Sequence, residues 1–272
     1  MHRIERPKKV PSPFRKYRDA YLKSHPWPDV KPNPKDDWDA FGSVPLSDYD
    51  PTHRDCEGEG RKKLKDLVIE TLSDNQHGLC AYCEEKLPSK GDRRIEHHHP
   101  KSDVTTEHCW MFDWENLLAV CAGGRSNNVF LDSNAEQHCD GSKGESLTTI
   151  LNPYTMPRQN LFTFESSSGK LLADVDMCNQ LHVDVQLVKD TIDVLQLNCT
   201  TLKGHRQDLA LHYKQEYEKV QKDMQTGKRA KGSVRSVIAK RWFGNGQVPV
   251  LFTTRRCLLG AKADPYIMSV FH

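Results

Sequence analysis

Leu64, Leu67, Val68 and Leu72 recur at helical spacing within residues 59–75, EGRKKLKDLVIETLSDN, with lysines on the other face. That period predicts an amphipathic helix. A second stripe, Val185, Val188, Ile192 and Leu195, predicts another. A third runs through Leu202, Leu209, Tyr213, Tyr217, Val220 and Met224, and Gly227 is a suitable C-terminal stop. All three stripes read as core and carry no chemistry. Between the first and the second the period is lost. Residues 76–145 are polar and rich in Gly, Asn, His and Cys, too poor in apolar surface for an ordinary core, so a bound metal is the expected source of stability there. Residues 146–170 read as irregular or strand-like around ILNPYTMPRQNLFTFESSSGK. Residues 7–34 hold seven prolines. Proline fixes φ and removes a donor, which predicts an extended arm wrapped on the surface and docked by Phe14, Tyr17, Tyr21 and Trp27. No internal repeat is present.

The chain has 272 residues, 36% hydrophobic and 28% charged, enough for one large domain or two small ones. A net charge of +2 makes no global case for a nucleic-acid partner, so such a case needs a local patch. Residues 228–241, KRAKGSVRSVIAKR, hold six basic residues and no acid. Lys228, Arg229, Lys231 and Arg235 are the candidates there for contact with phosphates or an acidic partner. No run of 18 apolar residues exists, which argues against a transmembrane helix, and MHRIERPKKVPSPF lacks the apolar region of a signal peptide. The expectation is a cytoplasmic protein without a membrane partner. Nine cysteines in a reducing compartment argue for metal ligands plus spare thiols. Cys56, Cys109, Cys178, Cys199 and Cys257 have no close partner in sequence and read as buried or incidental.

Cys80 and Cys83 form a Cys-x2-Cys turn, a spacing that points both sulfurs to one side and lets them share an ion. A closed structural zinc site takes four ligands, and Cys121 and Cys139 are the downstream candidates, with His138 in reserve for the fourth position. Thirteen residues after Cys83 comes Glu96, within IEHHHPKS, where it is adjacent to His97 and Pro100 ends local regular structure. Asn116 follows in DWENLLAVC, and Asp140 and Lys143 in CDGSKG.

The order Cys-x2-Cys, Ile-Glu-His-x-x-Pro-Lys-Ser, Asn-Leu-Leu, Cys, then Cys-Asp-x-x-Lys resembles the HNH nucleases. It is most similar to the HNH subunit of Septu-type and retron-associated anti-phage systems. The motifs cover residues 80–144, and KDTIDVLQLNCTTLKGHR in the helical tail is also similar. The resemblance implies an α+β fold in which a ββα-metal core with zinc knuckles is embedded in a mainly helical chain. It divides the chain into a Pro-rich arm (1–58), the nuclease core (59–150) and a helical region for packing and partner docking (151–272). Phosphodiester hydrolysis needs a base, an attacking water and a cation to offset charge on the phosphate and leaving oxygen. His97 is the expected general base, since imidazole titrates near working pH. Glu96 is the expected ligand of Mg²⁺ or Mn²⁺, a hard cation that prefers oxygen. Asn116, the middle residue of the family motif, is expected to pin the loop that aims His97. Asp140 stands where many HNH proteins have their last Asn or His and would be the second metal ligand. Lys101 and Lys143 flank these residues and are candidates to hold a phosphate, while His98 and His99 read as mostly positional.

One departure stands out. Many HNH proteins have a second Cys-x2-Cys, but here 17 residues separate Cys121 from Cys139. Either the knuckle carries an inserted loop, which Gly123 and Gly124 favour, or Cys139 is not a ligand. The partners the resemblance implies are an ABC-type ATPase, nucleic acid, and in the retron branch a reverse transcriptase with its DNA. DNA is the first substrate; RNA, including tRNA, is the alternative. A non-catalytic zinc-binding adaptor is the competing reading, and it would need neither Glu96 nor His97.

Overall fold

The structure of the chain is a computed structural model that describes residues 1–5, 9–26, 33–53, 62–87, 93–124 and 136–267. It opens on two helices, α1 (Ser12–Ser24) and α2 (Pro34–Phe41), where an extended arm was expected. Pro13 and Pro34 lie in first turns, where N–H groups have no acceptor within the helix, so a proline there removes no hydrogen bond. Phe14, Tyr17 and Tyr21 then share a face at helical spacing. Phe14 is fully buried and its ring meets those of Phe41, Phe112 and Trp114. The Tyr21 hydroxyl donates to Asp37 at 2.7 Å and joins the two helices. These helices therefore belong to the core and are not an appendage. Trp27 and Cys56 lie outside the described residues, as do residues 59–61 of the first helix read from the sequence.

Helix α3 (Leu64–Asn75) buries Leu64, Val68 and Leu72 completely, with Leu67 at the margin. Strands β1 (Arg93–His97) and β2 (Leu117–Cys121) pair antiparallel, with Ile95 opposite Ala119 and His97 opposite Leu117. The buried Gln76 amide clamps this hairpin to the end of α3. Its Nε2 donates to the Ala119 carbonyl at 2.6 Å and its Oε1 accepts from the Ala119 N–H at 2.8 Å. The short helix α4 (Asp140–Lys143) follows, then a second hairpin of β3 (Phe162–Glu165) and β4 (Lys170–Ala173). The rest is helical: α5 (Val175–Gln180), α6 (Val185–Val194), α7 (Thr200–Gln225), α8 (Val234–Phe243), α9 (Phe252–Leu259) and α10 (Asp264–Ile267). Gly227, at φ 75°, follows the end of α7. The result is a mixed α+β chain with few strands, and none of its described helices is long and apolar enough to cross a membrane.

The main core gathers Phe14, Phe41, Leu64, Tyr82, Phe112, Leu117, Tyr154, Leu161 and Leu202 among others. A second cluster, Val220, Ile238, Phe243, Phe252 and Leu259, holds the C-terminal helices together. The polar segment 76–145 is thus better packed than its composition predicts. Tyr82, Ile95, Met111, Phe112, Trp114 and Leu117 to Val120 are all buried. Much of the apolar surface covering them comes from α1 and α2 before the segment and from residues 150–161 after it, which a window along the chain does not see. Glu84, just past Cys83, ties the second cluster to the first. Its carboxylate accepts from the Thr253 N–H at 2.9 Å and from the Thr253 hydroxyl at 2.7 Å at the start of α9.

Candidate active site

Four thiols meet behind the first hairpin. The Sγ atoms of Cys80, Cys83, Cys121 and Cys139 all lie within 4.8 Å of one another. Cys80 and Cys139 are 3.8 Å apart, as are Cys83 and Cys121. A tetrahedral ion with Zn–S bonds of about 2.3 Å requires S–S edges of about 3.8 Å, so the four thiols fit one zinc ion. The Cys121 N–H points at the Cys80 sulfur at 3.4 Å, a donor suited to a thiolate. The long gap before Cys139 is closed at its ends. The His138 N–H donates to the Gly123 carbonyl at 3.1 Å, and a Cβ on residue 123, at φ 63°, would stand 1.6 Å from the His138 oxygen. Only glycine permits that approach. Residues 125–135 of the gap lie outside the described residues. His138 Nδ1 lies 3.3 Å from the Cys139 sulfur, beside the four thiols and not among them. Cys109, Cys178, Cys199 and Cys257 stand apart from this group.

Alternation along β1 sends Glu96 and His97 to different surroundings. His97 is buried, its ring 4.5 Å from that of Trp38 on α2, and its Nε2 lies 3.0 Å from the Met111 carbonyl oxygen. Burial holds the imidazole far below its ordinary value, at about 3, so at neutral pH the ring carries one proton. The carbonyl only accepts, so that proton sits on Nε2 and the lone pair on Nδ1. This differs from the expectation of a histidine titrating near working pH: enclosure by Trp38 and the 98–113 loop removes the water that would stabilise the imidazolium.

Asn116 locks that loop. Its Nδ2 donates to the His99 and Trp110 carbonyls, each at 2.8 Å, and its Oδ1 accepts from the His99 N–H at 2.6 Å. Trp110 immediately precedes Met111, so the amide and the imidazole brace the same stretch of backbone. His99 pairs with Asp103 at 2.7 Å and lies against the Trp110 ring. His98 Nε2 has no hydrogen-bond partner among the described residues.

Glu96 is buried on Lys143, with Oε1 2.7 Å from Nζ, and the Tyr82 hydroxyl donates to the same oxygen at 3.5 Å. Burial pushes the Glu96 carboxyl up to about 7, Lys143 pulls it back, and the Asp140 carboxylate adds to the rise. Two carboxylates drawn together beside one ammonium offer hard oxygen donors to a divalent cation. Asp140 also lies 3.5 Å from Arg94 Nε. Lys143 is not the surface phosphate clamp that its sequence position implied. It is 3% exposed, and its ammonium is spent on Glu96 and on the His97 carbonyl at 2.8 Å, because a buried carboxylate requires a counter-charge. Lys101 reaches Glu145 at 2.6 Å. Lys228, Arg229, Lys231 and Arg235 are exposed around the start of α8, away from the hairpin in sequence.

The chain is 32% identical over 203 residues to an Escherichia coli protein named as an HNH endonuclease of retron Ec83, an alignment that spans 66% of this chain and 73% of the relative. The chain belongs to the HNH endonuclease family. No protein-family profile matches it. As an HNH endonuclease it is a hydrolase acting on phosphodiester bonds.

Some neighbours of the HNH motif residues left no trace in the sequence. Met111 acts through its backbone carbonyl, which any residue would supply. Trp38 arrives from a helix that its prolines disguised. Tyr82 lies inside the Cys-x2-Cys turn, where its burial beside Glu96 was open to suspicion.

Proposed function

We propose that the chain is the metal-dependent nuclease effector of an anti-phage defence complex, built on a ββα-metal core of β1, β2 and α4. The observation that carries this reading is His97. Its Nε2 proton is committed to the Met111 carbonyl, which leaves Nδ1 as a lone-pair donor on the strand that also bears Glu96. In this reading His97 takes the proton of the attacking water, and Asn116 positions the loop whose carbonyl fixes the tautomer. Glu96 and Asp140 hold Mg²⁺ or Mn²⁺, which offsets charge on the phosphate and the leaving oxygen. Lys143 keeps the carboxylate pair balanced when no cation is bound. Cys80, Cys83, Cys121 and Cys139 hold structural zinc. A zinc-binding adaptor has no use for the buried Glu96–Lys143 pair or the oriented imidazole, and that disfavours the adaptor reading.

DNA is the proposed substrate, with RNA as the alternative outcome, and an ABC-type ATPase the proposed partner; in a retron setting a reverse transcriptase and its DNA join them. The test is cleavage of labelled DNA and RNA by the chain alone and with the ATPase, with magnesium or manganese titrated in. Hydrolysis is expected only with added divalent ion, and Asp140→Ala raises the half-saturating concentration by at least about tenfold. Full activity with both ions withheld refutes the metal assignment.

Lys228, Arg229, Lys231 and Arg235 are proposed to contact the nucleic-acid backbone, supported by their exposure and by the absence of acids among them. Each phosphate contact adds about 0.9 to the salt slope of binding to duplex DNA. Replacing all four by alanine therefore flattens the slope by several units if all make contact. A slope identical to the parent's removes this patch from the interface.

A further inference from the structure

Lys101 and Ser102 lie in the loop that begins just after His97. Both donate to one anion: Lys101 Nζ lies 2.6 Å from Glu145 Oε1, and the Ser102 hydroxyl donates to Glu145 Oε2 at 2.6 Å. An ammonium and a hydroxyl converging on separate oxygens of one anion is a donor set that serves a phosphate equally well. Glu145 comes from the far side of the site, two residues beyond Lys143. Gly144, at φ 51° with open space at its Cβ position, turns the chain back so that the carboxylate faces the loop. The charges of Lys101 and Glu145 both act on the His97 imidazole, which puts the pair beside the proposed base. The Glu145 side chain is 53% exposed, so it can leave without disturbing the core. An ion pair with one partner this exposed is weak, and a competing anion can displace it.

We propose that Lys101 and Ser102 form a phosphate subsite next to His97, and that the Glu145 carboxylate occupies it until nucleic acid takes its place. The proposal deepens, and rests on, the reading of this hairpin end as the nuclease centre. Glu145 thereby acts as an internal competitor: it holds the two donors in position and lowers affinity for any backbone that does not displace it. A phosphodiester carries the same single charge as the carboxylate, so the exchange leaves the electrostatics of the site unchanged. Binding must first break the contacts of Glu145 with Lys101 and Ser102, so the carboxylate lowers the affinity of the subsite.

The experiment measures binding of the full chain to a fluorescein-labelled DNA duplex by anisotropy, with magnesium and manganese withheld so that no cleavage intervenes. Glu145→Gln, which keeps the shape and removes the charge, is expected to tighten binding about fivefold, the gain from freeing a subsite that is open only a minor fraction of the time. Lys101→Met with Ser102→Ala is expected to weaken binding, and in that background Glu145→Gln no longer tightens it. Parent-like or weaker binding by Glu145→Gln overturns the proposal. So does an equal gain in the background lacking both donors, since that is the signature of general charge reduction. The parallel cleavage assay keeps the two claims apart. If His97→Ala cuts normally while the Glu145 effect depends on Lys101 and Ser102, the catalytic assignment falls and the subsite stands. If His97→Ala is dead and Glu145→Gln changes nothing, the subsite falls alone.

Discussion

His97→Ala is expected to lower nucleic-acid cleavage by about 10²- to 10⁴-fold, the contribution typical of a positioned general base. The variant should keep its zinc content and its fold, because His97 does not belong to the four-thiol group. Some loss of stability is expected, since the ring packs against Trp38, and a melting curve measures it separately from catalysis. His98→Ala is the matched control. It removes an imidazole from the next position without touching the Nε2 bond to Met111, and should cost far less activity. The assay needs the reconstituted complex as well as the isolated chain. Parent-like cleavage by His97→Ala there would falsify the assignment of the base and bring the adaptor reading forward. A collapse caused by His98→Ala, with His97→Ala active, would move the base one residue along the loop.

Removing the metal from the four thiols should unfold the region around the first hairpin. Structural zinc contributes apparent free energies of about 10–16 kcal/mol in small zinc peptides at neutral pH, comparable with the whole stability of a domain, about 5–15 kcal/mol. The hairpin here has additional support from the Gln76 clamp and from α1 and α2, so the loss should be severe but graded. Metal analysis should return about one zinc per chain, the stoichiometry of a closed tetrahedral site. Cys139→Ser should release that zinc and lower the melting temperature, whereas His138→Ala should retain it, because the imidazole lies beside the group and not in it. Zinc-free protein that melts like the parent would rule out the structural role.

Several elements were legible because their signals are local. The stripes of α3, α6 and α7 follow a 3.6-residue period, and a helix enforces that period within its own turns. Cys80 with Cys83, and Glu96 next to His97, are short-range spacings that the chain cannot separate. The N-terminal helices were not legible, because proline acts by position and not by number: in a first turn it is compatible with a helix, while in the interior it is not.

What the sequence by itself determined is the chemistry available: four soft thiols, a carboxylate beside an imidazole, an amide, and an acid with a lysine in the next motif. Tertiary structure alone decided how these meet. It brought Cys139 to the other thiols across a 17-residue gap by pairing residue 123 with residue 138. It turned Lys143 inward onto Glu96, set the His97 tautomer through a main-chain carbonyl, and laid Glu145 across Lys101 and Ser102. The physical reason is range. Periodicity and spacing report forces acting within a few residues. Counter-charges, hydrogen-bond partners and burial are supplied by segments 14 to 59 positions away, and only the packed chain puts them within reach.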